Sequence, residues 1–425
     1  MDHNVIKRVV IEMREFIENE EISRRTYELE DKADYILTGL RRSGKSTLLY
    51  KRVKDLIRSG VKWEQIFYVN FEDDRLTGFE LRDFDDLIET AHEFTDRKIY
   101  YFFDEIQIVD GWQRFARRMA DHHERVFITG SNAKMLSSEM EAVLGGRYLS
   151  KMIMPFSFEE LLDFRHIPHT DDAFLSTKNN GRIRSCAQDY MRWGGLPESF
   201  DFKDKRTYIQ SVYDKVLLGD IVARNQIRNP QALRMMIKKI AETVMHEVSY
   251  NRLASNIRAT GISVSVDAII QYVQYTKEAF LIFSTENYVA KFSEKESTPR
   301  FYFMDNGILS LFLIDKNSAL LENAVAVYLR RQYGDRVYYF KSTKTGIDID
   351  FYLPDESVAI QVCYALTDDS TEREEKNLIQ FARKTADVRK LMIVTNEEER
   401  LIEKENFRIH VVPAYKFLLN GIESL

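Results

Sequence analysis

The sequence has few cysteines, no long apolar run and no excess of positive charge. Its 425 residues include only two cysteines, Cys186 and Cys363, which are far apart and match no metal-ligand spacing. No stretch approaches the roughly 18 consecutive apolar residues of a membrane-spanning helix. The opening segment MDHNVIKRVV lacks the apolar centre of a signal peptide. We therefore expect a cytoplasmic protein without a membrane partner.

The formal net charge of −6 argues against a surface covered with phosphate contacts, although an acidic chain can still carry a local basic patch. No internal repeat or low-complexity linker is visible. Hydrophobic residues make up 44% and charged residues 30% of the chain, which is typical of a globular protein. The length predicts roughly two to four domains.

A glycine-bracketed stretch, GLRRSGKS at residues 39–46, fits the pattern G-x-x-x-x-G-K-[ST] of a phosphate-binding loop. An apolar run before it predicts a buried strand, and the residues after it have helical periodicity. We expect Lys45 to contact the β- and γ-phosphates, Ser46 to ligate Mg²⁺ and Thr47 to contact the α-phosphate. The predicted nucleotide-binding residues are Gly39, Arg42, Ser43, Gly44, Lys45, Ser46 and Thr47.

A second apolar run, residues 99–103, ends in Asp104 and Glu105, at the carboxyl end of a predicted central strand. We expect Asp104 to hold the metal ion, directly or through water. Glu105 is expected to orient and deprotonate the water that attacks the γ-phosphate. Acids are common at strand ends, and the phosphate loop upstream is what favours the catalytic interpretation.

Residues 125–129, RVFIT, predict another strand, which is followed by Ser131 and Asn132. A polar side chain at this strand end could contact the γ-phosphate or the attacking water; the alternative is that both residues make an Asx-type turn. Arg147, in LGGRYLS, has no acid near it in the sequence. We predict an arginine finger or sensor that stabilises charge on the phosphoryl group, and the alternative is an ordinary surface arginine.

Strands that alternate with helices predict a parallel, doubly wound sheet and an α/β fold class. The motifs GLRRSGKST, YVNFEDDRL, YFFDEIQ, FITGSN, LGGRYLS, PFSFEELL and YMRWGGLPE together resemble a large group of prokaryotic AAA-type ATPases. The resemblance covers nearly the whole chain. It implies ATP as the nucleotide, ATP hydrolysis, assembly into a homo-oligomer and a DNA-linked role. It also implies a carboxyl-terminal region with a winged-helix segment and a nuclease-like domain.

The predicted organisation has five segments. They are an amino-terminal helix (1–30), a P-loop ATPase domain (31–158), a lid or connector (159–204), a helical and winged-helix domain (205–312) and a nuclease-like domain (313–425).

The candidate winged helix consists of a helix-turn-helix at residues 248–278 and two strands, 280–289 and 300–304, around the tip SEKEST. In a DNA reader the second helix lies in the major groove. No cation appears in this helix before Lys277, and Asp267 would face phosphate unfavourably. Duplex recognition and a structural or protein-contacting role are both open alternatives.

The end of the chain resembles the PD-(D/E)xK nuclease fold, in which a helix glutamate, a strand aspartate and an acid-x-lysine strand gather metal ions. Glu322 and Asp350 match this pattern, and Asp348 lies one alternation away on the same strand face. Gln361 and Cys363 stand where the acid and the lysine are expected. We therefore predict a nuclease-like domain without hydrolytic activity, which could still bind nucleic acid or a partner.

These patterns predict a Mg²⁺-dependent ATPase that couples hydrolysis to action on DNA or a nucleoprotein. A second hypothesis is a nucleotide-controlled switch whose carboxyl-terminal domains bind a protein. A third is a metal nuclease controlled by ATP, which predicts cleavage that disappears in Asp350→Ala.

Overall fold

The computed structural model describes residues 1–136, 138–289, 298–314 and 317–424. Within this part of the chain, no helix combines the length and the apolar character needed to cross a membrane.

The chain divides into two compact units. The amino-terminal unit comprises Met1–Met154 and Glu278–Phe280, and the carboxyl-terminal unit comprises Pro155–Lys277 and Leu281–Leu425. Each unit contains one β-sheet of its own.

The amino-terminal unit is built on a five-stranded parallel sheet, which confirms the predicted parallel arrangement. The strands are β1 (Asp34–Thr38), β2 (Ile66–Asn70), β3 (Tyr100–Asp104), β4 (Arg125–Gly130) and β5 (Tyr148–Met152). Their order across the sheet is β2-β3-β4-β1-β5. Because neighbouring parallel strands end at the same edge, the carboxyl ends of β3, β4 and β1 lie side by side.

Helices cover both faces of this sheet, so its strands are apolar on both faces. The helices of this unit are α1 (His3–Asn19), α2 (Lys45–Arg58), α3 (Phe84–His92), α4 (Trp112–Asp121) and α5 (Ser138–Leu144). Strand β3 illustrates the arrangement: Tyr101 and Phe103 join the apolar cluster that includes α3 and α4, while Phe102 joins the cluster that includes α2.

The predicted amino-terminal helix over residues 1–30 is shorter than expected. Helix α1 ends at Asn19, and the residues from 20 to 30 are not helical. Asp2 caps its amino end by accepting a hydrogen bond from the Asn4 N–H at 2.8 Å. The prediction was too long because the charged run EFIENEE has good helix propensity but contributes no further residue to the apolar face after Ile17.

The carboxyl-terminal unit begins with a helical region. Among the described residues, the α-helices after α5 are α6 (Phe158–Phe164), α7 (Asp171–Leu175), α8 (Thr177–Trp193), α9 (Lys205–Lys215), α10 (Pro230–Glu242), α11 (Tyr250–Arg258), α12 (Val266–Glu278), α13 (Asn306–Ser310), α14 (Asn317–Tyr333), α15 (Asp368–Lys384) and α16 (Ala414–Asn420). A π-helical segment, Val216–Ala223, continues α9.

Helices α11 and α12 confirm the two helices predicted for the helix-turn-helix. Each begins after a serine whose hydroxyl accepts a backbone hydrogen bond. Ser249 accepts from the Arg252 N–H at 3.2 Å, and Ser265 accepts from the Ala268 N–H at 3.1 Å. These two serines therefore fix where the helices begin.

A mixed eight-stranded sheet forms the rest of this unit, in the order β12-β13-β11-β10-β9-β8-β6-β7. The strands are β6 (Ile282–Asn287), β7 (Arg300–Phe303), β8 (Tyr338–Ser342), β9 (Ile347–Leu353), β10 (Val358–Val362), β11 (Lys390–Thr395), β12 (Arg400–Lys404) and β13 (Phe407–Pro413).

The two strands predicted for the wing do pair with each other, but they are not separate from the strands of the predicted nuclease-like domain. Strand β6 pairs antiparallel with β7 and also parallel with β8, through Glu286 opposite Tyr338. The predicted domain boundary between 312 and 313 therefore falls between strands of one sheet. Strand patterns in a sequence do not show which strand edges stay unpaired. Residues 293–297 of the predicted wing tip lie outside the described residues.

A buried carboxylate gives this unit a testable dependence on pH. Asp305 accepts hydrogen bonds from the Gly195 N–H at 2.7 Å and from the Ile308 N–H at 3.2 Å. Burial raises its pKa to about 6, from an ordinary value of 3.8, although the backbone N–H groups act in the opposite direction.

The pKa of Asp305 is higher in the folded than in the unfolded protein, so the native state binds more protons. The stability that protonated Asp305 contributes is fully present below about pH 4 and is lost as the pH rises through about 6. The loss is on the order of 3 kcal/mol. We expect Asp305→Asn to flatten this decline in urea-unfolding measurements between pH 4 and 7. An unchanged slope in the variant would contradict the assignment.

Candidate nucleotide-binding site

The predicted phosphate loop connects β1 to α2, which begins at Lys45. Three of its residues have positive φ angles: 150° at Gly39, 64° at Arg42 and 94° at Gly44. A Cβ atom on Gly39 would lie 2.1 Å from the carbonyl oxygen of Ile153, so glycine is required there. Left-handed residues interspersed with right-handed ones turn backbone N–H groups toward one centre, as anion-binding loops require.

Lys45 is buried, with 4% of its surface exposed. Its ammonium group donates to the carbonyl oxygens of Gly39 at 3.2 Å and Leu40 at 3.3 Å. It also lies 3.6 Å from Oε1 of Glu105. The loop and the acid pair that the sequence predicted separately are thus joined at this lysine.

The other predicted loop residues occupy three kinds of position. Arg42 is exposed, Thr47 is half-buried in the first turn of α2, and Ser43 is fully buried. The Ser43 hydroxyl has no hydrogen-bond partner among the described residues. Ser46 hydrogen-bonds to the carboxylate of Asp104, which brings the two predicted metal ligands together.

An arginine that the sequence analysis missed supports the loop. Arg25 is buried, and its guanidinium donates to the carbonyl oxygens of Ser43 at 2.7 Å and Met154 at 2.6 Å. It also lies over the ring of Tyr27, at 5.3 Å from the centroid. Arg25 therefore fastens the phosphate loop to the chain that follows β5.

Asp104 lies at the end of β3 and is fully buried. Its carboxylate accepts hydrogen bonds from the hydroxyls of Thr129 and Tyr68, the latter at 2.8 Å. Burial and the neighbouring charge of Glu105 raise the pKa of Asp104, while the hydroxyl donors lower it. A carboxylate oriented by several hydroxyls at the mouth of a phosphate loop has the chemistry of a Mg²⁺ ligand.

Glu105 adopts the left-handed backbone region, with φ of 53°. Its N–H donates to the hydroxyl of Thr129 at 2.9 Å, and its carboxylate accepts from the Gln107 amide. Burial alone would raise its pKa, but the charge of Lys45 and the Gln107 hydrogen bond hold the pKa below its usual range. Glu105 is therefore an ionised, buried base in a strained conformation, as is common at catalytic positions.

Thr129 offers the first test of this geometry, because its hydroxyl contacts both acids. We expect Thr129→Val to leave the buried Glu105 N–H unpaired, at a cost of about 1–3 kcal/mol in the free energy of unfolding. ATP turnover should fall by at least roughly tenfold, since Glu105 and Asp104 lose their common support. Thr129→Ser keeps the hydroxyl and is the matched control; equal losses in both variants would contradict this role.

Ser131 and Asn132, which follow β4, differ in their surroundings. The Ser131 hydroxyl is buried beside Glu105 and accepts from the Gln107 amide at 3.5 Å. The Asn132 side chain instead accepts from the Lys134 N–H at 2.9 Å, as in the Asx-turn alternative. Of the two predicted residues, Ser131 is the one adjacent to the candidate base.

Arg147 lies at the amino-terminal ends of the parallel strands, opposite the ends that carry the phosphate loop. It precedes β5, whose first residue, Tyr148, is paired with Asp34 at the start of β1, whereas the phosphate loop follows the end of β1. Its guanidinium forms an ion pair with Asp121 at 2.7 Å. The argument that no acid neutralises Arg147 was wrong, because Asp121 is distant in sequence but close in the fold. A role for Arg147 in the site of a neighbouring subunit stays a prediction.

Comparison with known proteins finds two family models that match parts of this chain. Residues 31–162 match the family model of an AAA domain. These residues form an AAA-type P-loop ATPase domain. A second match, over residues 186–318, is to a domain of unknown function, DUF8612, within the carboxyl-terminal unit.

Similar proteins cover most of the chain. An uncharacterized protein of Methanocaldococcus jannaschii is 29% identical over 397 residues, which are 90% of this chain and 88% of that one. One of Haemophilus influenzae is 29% identical over 348 residues, covering 80% and 84%. Among solved structures, a Walker-type ATPase of Pyrococcus abyssi has a TM-score of 0.43 and 14% identity, covering 70% of this chain and 99% of that one.

The predicted nuclease-like residues also come together, in the carboxyl-terminal unit. Asp348 and Asp350 lie on β9, Gln361 on β10 and Glu322 on α14. Gln361 hydrogen-bonds to the backbone of both aspartates. Burial and the charge of Asp350 raise the pKa of Glu322. The sequence analysis missed Arg300, which contacts both aspartates.

Proposed function

We propose that this protein is an AAA-type ATPase that hydrolyses ATP in the presence of Mg²⁺. The observation that carries the proposal is the position of Glu105, an ionised and buried carboxylate 3.6 Å from the lysine of the phosphate loop. A general base must be near the reacting phosphate, deprotonated and shielded from bulk water. Glu105 is buried, its pKa is lowered, and it lies beside Lys45, the residue that we propose contacts the phosphates.

The donor set fits a magnesium nucleotide. For phosphate oxygens the loop supplies backbone N–H groups, the ammonium of Lys45 and the hydroxyl of Ser43, for which the described part of the chain offers no hydrogen-bond partner. Ser46 and Asp104 would hold Mg²⁺, which supplies positive charge to the phosphates. Lys45 stabilises the charge on the γ-phosphate, and Glu105 orients a water molecule and accepts its proton.

We also propose that the ATPase acts on DNA or a nucleoprotein. The support is a local basic region in an acidic chain: residues 224–258 contain seven lysines and arginines and two acids. On α10, Arg234 and Lys238 are one helical turn apart, exposed and not ion-paired within the described part of the chain. These cations lie on helices before α12, which itself carries Asp267 near its start.

The test is ATP turnover with single-stranded, duplex and branched DNA at two salt concentrations. We expect stimulation that weakens at high salt and is lost in the double variant Arg234→Glu, Lys238→Glu. The matched control is the double variant Lys178→Glu, Arg182→Glu, which reverses the charges of an exposed pair with the same spacing on α8. Equal loss in both double variants would contradict a specific role for α10.

The alternative function is a nucleotide-controlled switch that binds a protein partner. It predicts that DNA does not change ATP turnover and that the carboxyl-terminal domains bind the partner in only one nucleotide state.

We also propose a homo-oligomer in which Arg147 acts on the nucleotide site of the neighbouring subunit. Mixing Arg147→Ala with Lys45→Ala chains would then restore turnover that neither variant has alone, whereas two inactive variants that stay inactive together would oppose this arrangement.

A further inference from the structure

The acidic cluster of the carboxyl-terminal unit surrounds a cation that belongs to the chain itself. Arg300, at the start of β7, is 2% exposed. Its guanidinium lies 2.5 Å from Oδ1 of Asp348 and 3.3 Å from Oδ1 of Asp350. It also lies over the ring of Tyr339, at 4.5 Å from the centroid. One buried guanidinium therefore bridges the two aspartates that a nuclease of this fold would use for metal.

Three further oxygens of the cluster lie near protein donors. Oδ2 of Asp350 accepts from the Val362 N–H at 2.9 Å, and Oδ2 of Asp348 lies 3.4 Å from the ammonium of Lys341. Glu322 accepts from the hydroxyl of Tyr302 at 2.9 Å. A divalent cation would have to displace these donors to gain its oxygen ligands, and it would be repelled by Arg300.

Gln361 does not act as a substitute metal ligand, because both ends of its amide are used. Its Oε1 accepts from the Asp350 N–H at 2.7 Å. Its Nε2 donates to the carbonyl oxygen of Asp348 at 3.0 Å and to Glu374 at 2.6 Å. The side chain thus links β10 to the backbone of β9, where the fold family would place a second metal-binding acid.

We propose that Arg300 is a built-in counter-cation that replaces the divalent metal in this cluster. The carboxyl-terminal unit then binds no metal at this position and cleaves no phosphodiester bond, and the carboxylates serve to fasten β7 to β9. Since breaking a buried ion pair leaves an uncompensated charge, the same carboxylates become a latent cation site once Arg300 is removed. This inference is independent of the ATPase site.

The experiment titrates Mn²⁺ alone into the full-length protein and follows free Mn²⁺ by electron paramagnetic resonance. Every protein carries Asp104→Asn, so that the predicted Mg²⁺ site does not contribute. We expect no binding while Arg300 is present. Arg300→Met removes the charge and keeps much of the buried volume. The variant protein should bind one Mn²⁺ with an affinity at least tenfold higher than that of the Arg300-containing protein. Adding Asp348→Asn and Asp350→Asn should abolish the new binding.

Thermal unfolding gives a second measurement on the same proteins. Mn²⁺ should raise the melting temperature of the Arg300→Met protein by several degrees and leave the Arg300-containing protein unchanged. A folded Arg300→Met protein that binds no Mn²⁺ would overturn the proposal.

If Arg300→Met does not fold, the decisive comparison is the Arg300-containing protein with and without Asp350→Asn. Mn²⁺ binding that is lost on this substitution would also overturn the proposal, as would Mn²⁺-dependent DNA cleavage lost with it. The absence of both in the Arg300-containing protein supports it.

Discussion

Glu105→Gln is expected to lower the kcat for ATP hydrolysis by about 10²- to 10⁴-fold. The amide has nearly the shape of the carboxylate, but it cannot accept a proton from water. ATP binding should persist, because the loop and Lys45 are unchanged and the negative charge near the phosphates is removed. The measurements are steady-state phosphate release and the Kd of a fluorescent ATP analogue.

The control for Glu105 is Glu89→Gln, because the Glu89 side chain is 71% exposed and lies on α3. We expect this variant to retain wild-type turnover. If Glu105→Gln also retained turnover, another group would be the base and the assignment would fail. A parallel loss of ATP binding would instead show that Glu105 acts in nucleotide affinity.

Lys45→Ala is expected to weaken ATP binding by roughly 10- to 100-fold, which corresponds to the about 1.5–3 kcal/mol of hydrogen bonds to charged groups. Hydrolysis should fall below detection, because the same ammonium stabilises charge on the γ-phosphate. The effect of burial on Glu105 would then be opposed less strongly, because the charge of Lys45 is lost, so the pKa of this acid should rise.

Lys51→Ala is the matched control for Lys45, since Lys51 lies on the same helix and pairs with Asp55 at the surface. Isothermal titration with ATP and Mg²⁺ compares the two variants. Equal losses of affinity would mean that α2 had been destabilised as a whole. Unchanged affinity in Lys45→Ala would exclude the loop as the phosphate-binding element.

Contiguous motifs made the core of the site predictable. Residues 39–46 and the pair Asp104 and Glu105 could be assigned because each is a short contiguous motif at the carboxyl end of a strand, β1 and β3, on either side of β4. Thr129 was accessible to the same reasoning, since it lies near the end of the strand next to β3. It was missed because it lies inside the apolar run of β4, where a threonine is also an ordinary strand residue.

Other contacts could not be predicted because they join distant segments. Arg25 reaches Met154 across 129 positions of the chain, and Arg300 reaches Asp348 across 48. Neither arginine belongs to a motif, and the pairing of a buried charge depends on packing that no local pattern contains. The union of β6 and β8 in one sheet was missed for the same reason, since strand pairing is a long-range property.

The most direct test of ATP hydrolysis at this site is phosphate release by the full-length protein in Mg²⁺ and in EDTA, with Lys45→Ala as the baseline. We predict release with Mg²⁺, none above the baseline with EDTA, and the same low level in the variant under both conditions. Release that is equally fast in Lys45→Ala, or that persists in EDTA, would contradict the assignment of this site to Mg²⁺-dependent ATP hydrolysis.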